Sequence, residues 1–258
     1  MSEMVFESVT DLERVANALH RAQKITALTG AGVSAASGIP TFRGADGLWK
    51  KVRAETLATP EAFENDPKLV WEWYDWRRQM VAGARPNAAH DVLAQWTREQ
   101  SGFTLITQNV DGLHEKAGTE RLIRLHGSIW HVRCWQRCTA GRRDWRDDTT
   151  PFPTLPPRCP HCGGIVRPAV VWFGESLDAS DVARATEATD CEVFLTIGTS
   201  AVVYPAAGLV HQAKRRGAFT VEINLEPTEA SHVVDVALHG PAEKILTNLA
   251  ALGRSGSD

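Results

Sequence analysis

The chain has 258 residues, of which 43% are hydrophobic and 23% charged, enough for one large domain with a small appendage. That composition excludes a wholly disordered polymer. A formal net charge of −3 excludes a global attraction to nucleic acid or to anionic membranes.

The first eight residues lack the basic and apolar regions of a secretory leader, and no later stretch reads as a membrane span. A cytoplasmic, monomeric protein without nucleic-acid or membrane partners is expected. Thr10 and Glu13 form a candidate capping box before Leu12, Val15, Ala16 and Leu19, which recur at helical spacing. A buried strand follows at residues 25–29. It runs into Gly30-Ala31-Gly32-Val33-Ser34-Ala35, which fits the G-x-G-x-x-G/A pattern of a dinucleotide loop. In that pattern, glycines allow the tight turn and the close approach of a pyrophosphate to the backbone. Alone, the pattern is equally compatible with a tight turn that holds no ligand. The acidic residue that dehydrogenases carry about 20 positions later has no counterpart here, which points away from hydride transfer.

Further apolar runs at 103–107, 122–125, 193–197, 219–223 and 233–238 read as strands. A helix is expected over 205–216, with proline at its start and Gly217 beyond its end. Strands alternating with helices predict an α/β fold with a doubly wound, mostly parallel, Rossmann-like sheet. Two stretches break the alternation. Residues 44–82 are helical and aromatic-rich, with Trp71, Trp73, Tyr74 and Trp76 close together, and residues 131–167 carry cysteine pairs, mixed charges and prolines. They are expected to form a second, smaller domain from a helical insertion and a zinc ribbon. Residues 1–43, 83–130 and 168–258 then make the large, candidate dinucleotide-binding domain. The tail from Gly253 to Asp258 reads as a frayed terminus.

Cys134 and Cys138 are separated by three residues, and Cys159 and Cys162 by two, with twenty residues between the pairs. This is close to the spacing of a four-cysteine zinc site, which has no open position for water and is therefore structural. His161 is an alternative ligand in place of Cys138. Cys191 stands alone in an apolar run with no basic neighbour and reads as a packing residue rather than a nucleophile.

Several longer motifs now accumulate in one order. They are the segment from Gly30 to Arg43, Thr107-Gln108-Asn109-Val110-Asp111-Gly112-Leu113-His114, Leu125-His126-Gly127-Ser128, the cysteine pairs, Val171-Trp172-Phe173-Gly174-Glu175, Gly198-Thr199-Ser200 and Asn224-Leu225-Glu226. Together they resemble the sirtuin family over residues 15–250. The resemblance implies an NAD-dependent protein-lysine deacylase with NAD as co-substrate, one structural zinc ion and acylated-lysine proteins as partners. It also implies the chemistry, in which the acyl carbonyl oxygen attacks the nicotinamide ribose and nicotinamide departs. His126 then deprotonates a ribose hydroxyl so that the imidate carbon can be attacked. Histidine suits that task because its ordinary pKa lies near neutral pH.

By the same resemblance, His126 and Asn109 are catalytic. Gly30, Ala31, Gly32, Ser34, Thr41, Phe42, Arg43, Trp49, Gln108, Asn109, Asp111, Gly198, Thr199, Ser200, Asn224, Leu225, Glu226 and Ala242 line the NAD site. Phe42 would shield the nascent cation, and Asp111 would hold the nicotinamide carboxamide. Val171, Trp172, Phe173, Gly174 and Glu175 would pair with an extended substrate peptide.

Tyr74-Asp75-Trp76-Arg77 resembles the mark of the sirtuin branch that removes succinyl and malonyl groups. Positions i and i+3 share a helix face, so a phenol and a guanidinium can converge on one carboxylate. Ala54 aligns with a small residue that leaves room for a longer acyl chain. An ordinary amphipathic helix would show the same spacing, and Arg78 is an adjacent candidate. Three other readings are weighed: a deacetylase without acidic-acyl preference, a protein ADP-ribosyltransferase, and a zinc-ribbon regulator that senses NAD.

Overall fold

The computed structural model describes residues 9–41, 48–49, 52–141 and 143–254. It opens with α1 (Val9–Arg21), β1 (Ile25–Thr29) and a 3-10 turn over Ala31–Ser37. Next come β2 (Leu48–Trp49), β3 (Val52–Arg53), α2 (Ala54–Leu57), α3 (Pro60–Asn65) and α4 (Pro67–Gly83). Then α5 (Ala88–Glu99), β4 (Phe103–Thr107), α6 (Leu113–Lys116), β5 (Leu122–Arg124), β6 (Gly127–Cys134), β7 (Trp145–Arg146) and β8 (Val166–Val170) follow. The described chain closes with α7 (Ala179–Glu187), β9 (Val193–Ile197), α8 (Gly208–Arg215), β10 (Phe219–Asn224), β11 (Val236–His239) and α9 (Ala242–Arg254).

Six strands form one parallel sheet in the order β11-β10-β9-β1-β4-β5. Every residue of β1 and β9 is buried, which explains why these strands read as mostly apolar runs, threonines apart, rather than alternating ones. One core layer joins Val15, Leu93, Phe103, Leu195, Ile245 and Leu246 on the side of α1, α5 and α9. The other joins Leu28, Phe194, Leu209, Val210 and Ala213 under α7 and α8. The sheet is therefore doubly wound, as expected.

A second core lies outside this sandwich. It gathers Phe63, Val70, Trp71, Trp73 and Tyr74 from α3 and α4 with Ile129, Val132, Val166, Val170 and Trp172 from the three-stranded sheet β7-β6-β8 and its exit. Asp66 caps α4 by accepting from the Leu69 amide at 2.9 Å, and Pro67 occupies the first turn, where its missing donor costs nothing. The Trp71 indole donates to the Val166 carbonyl at 2.7 Å and meets Phe152 edge-on, so the helical insertion and the cysteine-bearing sheet share one interior. This core draws on Leu113, Ile129, Val170 and Trp172, beyond the two insertions delimited by sequence.

Several boundaries differ from expectation. Thr10 lies inside α1 rather than before it. The helix expected from 205 begins at Gly208, because Pro205 and Ala206 carbonyls accept from Gly208 and Leu209 in tighter i→i+3 turns. The last strand begins at Val236, since Val233 bonds back to Ala230 and Asp235 ties itself to Thr220. Gly253 and Arg254 continue α9 rather than fraying. Among the described residues, no helix is long and apolar enough to cross a membrane.

Candidate active site

In an open parallel sheet, ligands sit beyond the carboxyl ends of the strands where the winding direction reverses. Here that point lies between β1 and β9, and Gly30 and Gly198 are the residues that leave those strands. The two turns interlock. Gly30 donates to the Ile197 carbonyl at 3.0 Å and Gly32 to the Gly198 carbonyl at 2.8 Å. A Cβ on Gly30 would stand 2.7 Å from Thr199 Cβ, and one on Gly32 would stand 2.8 Å from Gly198 Cα. Both glycines are thus required by the protein's own turn on turn packing, before any ligand is considered. Asn224, at the end of β10, donates to the Thr199 carbonyl at 3.3 Å and extends the same rim. Ser200, Leu225 and Glu226 are exposed beside it, whereas Ala242 is buried in the core under α9.

The loop after β4 brings Gln108, Asn109 and Asp111 to this rim. The Gln108 side chain donates to Thr199 Oγ1 at 2.9 Å. Asn109 Nδ2 donates to the Gly30 carbonyl at 3.0 Å, and Ser34 donates to Asp111 Oδ2 at 2.8 Å. Behind Ser34 stands His90, whose Nδ1 accepts from the Asn87 amide at 3.2 Å. Its Nε2 therefore carries the hydrogen and points to Ser34 Oγ at 3.4 Å. Burial pushes His90 down to about 4, which keeps it neutral. His114 packs 4.9 Å from it, bonds Thr29 Oγ1 at 3.0 Å and is pushed down by burial to about 3. Burial also raises the Asp111 carboxyl, opposed by the Leu113 amide and the Ser34 hydroxyl.

His126 sits between β5 and β6, half-buried. Its Nδ1 lies 3.0 Å from the Gln108 carbonyl, which can only accept, so the proton is on Nδ1 and Nε2 keeps its lone pair. Burial lowers its pKa, with the Gln108 bond opposing. The ring is thus held as a neutral, oriented base.

The acyl-lysine candidates lie on α4. Tyr74 is buried, and its hydroxyl oxygen accepts from the Trp172 indole at 2.9 Å, leaving its own hydrogen to donate. Burial pushes Tyr74 up to about 12, so it stays protonated. Arg77 is half-buried with its guanidinium 5.2 Å from the Trp73 ring, and it interacts electrostatically with Tyr74 and Asp111. Arg78 turns away. It is fully buried between the Trp130 and Phe152 rings and donates to the Asp147 carbonyl. Arg78 is therefore a clamp between α4 and the cysteine-bearing insertion.

The segment from Val171 to Glu175 is a turn whose amide donors are largely engaged. Val171 donates to the His126 carbonyl, Phe173 to Ala58, Trp172 to Glu175 Oε2, and Glu175 to Trp172. Glu175 also grips the buried Arg167, whose guanidinium stacks on the Trp172 ring. Phe173 is exposed. Of the remaining candidates, Thr41 follows the 3-10 turn, Trp49 ends β2 and Ala54 begins α2, while Phe42 and Arg43 fall outside the described residues.

The Sγ atoms of Cys134, Cys138, Cys159 and Cys162 all lie within 4.8 Å of one another. Cys134 and Cys162 are 3.6 Å apart, Cys138 and Cys159 3.8 Å. Tetrahedral zinc with its usual thiolate bonds requires about 3.8 Å, so the four thiols fit one closed zinc shell without His161. Gly141 donates its amide to Cys138 Sγ at 3.3 Å, and a Cβ there would meet three of the cysteines. The strand β6, eight residues long, begins next to His126 and ends at Cys134, so the thiol cluster lies at the far end of that strand from the imidazole.

The family model described as the Sir2 family matches residues 30–205. The chain belongs to the Sir2 family. It is 54% identical over 213 residues to the NAD-dependent protein deacylase of Aquifex aeolicus, covering 82% of this chain and 87% of that one. It is 46% identical to the NAD-dependent protein deacylase of Pyrococcus furiosus, covering 92% and 96%. Among solved structures, a Sir2 homolog–NAD complex superposes with a TM-score of 0.89 at 43% identity, covering 95% of this chain and 94% of that one. A Sir2–p53 peptide–NAD complex superposes at 0.81 with 26% identity, covering 95% and 99%.

Two residues that contact this rim, His90 through Ser34 and Trp130 through Asp111, are not among the sequence candidates. His90 could have been sought as the N3 partner of the helix cap Asn87. Trp130 offered no signal beyond being one tryptophan among nine.

Proposed function

We propose that this Sir2-family NAD-dependent protein deacylase removes acidic acyl groups, succinyl and malonyl, from lysine side chains as well as acetyl. The observation that carries the reading is the Tyr74–Trp172 bond. An indole occupies the phenol's acceptor side, burial keeps the phenol protonated, and its free hydrogen stands one helical turn from the Arg77 cation. A neutral donor beside a guanidinium suits a carboxylate at the end of an acyl chain and gives an acetyl group nothing to bond.

His126 acts as the general base through Nε2. Asn109 orders the nicotinamide ribose, and Asp111 presents its carboxylate to the carboxamide. Gly30, Gly32, Ser34, Thr199 and Ser200 hold phosphates and ribose along the interlocked turns. Asn224, Leu225 and Glu226 meet the adenosine. The occupied amides of Val171, Trp172, Phe173 and Glu175 favour a peptide that reads their carbonyls and Gly174. Cys134, Cys138, Cys159 and Cys162 would hold a zinc ion that braces the smaller module and takes no part in the chemistry.

The test is NAD-dependent turnover of matched acetyl-, malonyl- and succinyl-lysine peptides. Arg77→Met should lower succinyl and malonyl kcat/KM by about 10–100-fold, the worth of a charge-assisted bond, and spare acetyl. Tyr74→Phe should cost about fivefold on the same substrates. Equal losses on all three peptides, or a wild type that turns over acetyl alone, would leave an ordinary deacetylase.

A further inference from the structure

We infer that Trp130 is a positioning residue for the nicotinamide end of the site, acting through the backbone of Asp111. The inference rests on the deacylase reading, in which Asp111 faces the carboxamide.

Asp111 is held at two levels. Its carboxylate accepts from the Leu113 amide at 2.9 Å and from Ser34 at 2.8 Å. Its carbonyl accepts from the Trp130 indole at 2.7 Å. The next residue, Gly112, has φ +81°, and a Cβ there would stand 3.0 Å from Trp130 Cδ1 and 3.2 Å from Nε1. The indole thus lies flush against the turn that carries Asp111, and it bonds the carbonyl of Asp111 itself. One residue earlier, the Ile129 amide donates to the Val110 carbonyl at 3.0 Å, so β6 grips both peptides of the turn.

Trp130 is itself fixed from the other side. Its amide donates to Ser128 Oγ at 3.2 Å, and its carbonyl accepts from the Asp147 amide at 3.0 Å. The Arg78 guanidinium lies 5.2 Å from its ring and donates to the Asp147 carbonyl. Arg78 comes from α4, Asp147 from the cysteine-bearing insertion and Trp130 from the strand that begins beside His126. The indole is the point where all three bear on Asp111. Removing its N–H leaves the Asp111 carbonyl facing an aromatic edge and frees the turn, while the acyl pocket at Tyr74 and Arg77 keeps its own contacts.

The experiment uses the full zinc-loaded chain with an acetyl-lysine peptide, so that acyl preference plays no part. Trp130→Phe should raise both the NAD KM and the nicotinamide concentration for half-inhibition by about fivefold, the worth of one neutral hydrogen bond. The peptide KM and the zinc content should stay at wild-type values. Replacing Trp130 with benzothienylalanine, which has sulfur in place of the N–H on a ring of the same size, should reproduce the effect if the smaller ring fails to pack. Wild-type NAD and nicotinamide constants in either folded variant would overturn the positioning role. So would losses shared equally by NAD and peptide, which signal general loosening. A wild type that releases no nicotinamide from NAD would instead overturn the deacylase reading itself.

Discussion

The two modules of this molecule are held together by different means. The parallel sheet is sealed by two mainly aliphatic layers, and its strands β1 and β9 are buried along their whole length. The smaller module has a core dominated by Trp71, Trp73, Phe63 and Trp172, and it closes on four thiols instead of a second face. A sheet covered on both sides can rest mainly on apolar burial. A three-stranded sheet under a few helices buries too little, and a metal supplies what area does not.

Removing the metal should break the comparison most sharply. Zinc contributes on the order of 10 kcal/mol to small domains that close on it. Chelation, or Cys159→Ser, should abolish deacylation and expose the tryptophans of the small module. Tryptophan fluorescence should red-shift while circular dichroism retains the signature of the large sheet. Loss of both signals together would mean that the modules unfold as one.

His126→Ala comes next. It should cut turnover by about 10²–10⁴-fold, the usual worth of a general base, with zinc content and thermal midpoint near wild type. Because burial lowers the His126 pKa, the acidic limb of kcat/KM should lie below the 6.5 of an ordinary histidine. A pH–rate profile of wild type checks this, and a limb above 6.5 would mean that the Gln108 bond outweighs burial.

A smaller effect separates the modules by pH. His90 and His114 are held at about 4 and about 3 in the folded state. The unfolded chain therefore binds more protons below pH 6.5, and stability falls as pH drops from 6.5 toward 4. The slope is at most about 1.4 kcal/mol per pH unit for each histidine. Thermal melts across that window should show a shallower slope in His90→Gln, with zinc content measured in parallel to separate metal loss from histidine protonation. The smallest expected change is Cys191→Ala. Its thiol is half-buried and pushed by burial up to about 11, so substitution should shift stability by less than about 1 kcal/mol and leave turnover intact.

What was legible in the sequence followed local physics. Residues 103–107 and 193–197 could be read as strands because burial on both faces writes a mostly apolar run with no charged residue in it. The four cysteines could be read because a metal imposes short spacings within each pair. Contacts between distant segments could not be read. Nothing local says that Trp130 bonds Asp111, that His90 supports Ser34, or that Arg78 is swallowed by Trp130 and Phe152 while its neighbour Arg77 stays near Tyr74. The late start of β11 has the same origin, since the tie between Asp235 and Thr220 holds the chain out of the ladder.

The interlocked glycine turns also bear on how this chain is made. The strand β1 is translated early, yet its two neighbours arrive far later, with Ile25 pairing with Phe103 on one side and Val193 on the other. On the ribosome, this fully buried strand must wait with one edge open until most of the polypeptide has emerged, a period when unpaired edges invite aggregation. The cradle of Gly30 and Gly32 stays incomplete until Gly198 arrives to fill it. A nascent or truncated chain ending before that residue has half a cradle, so the dinucleotide can reward only a polypeptide whose central sheet is already closed.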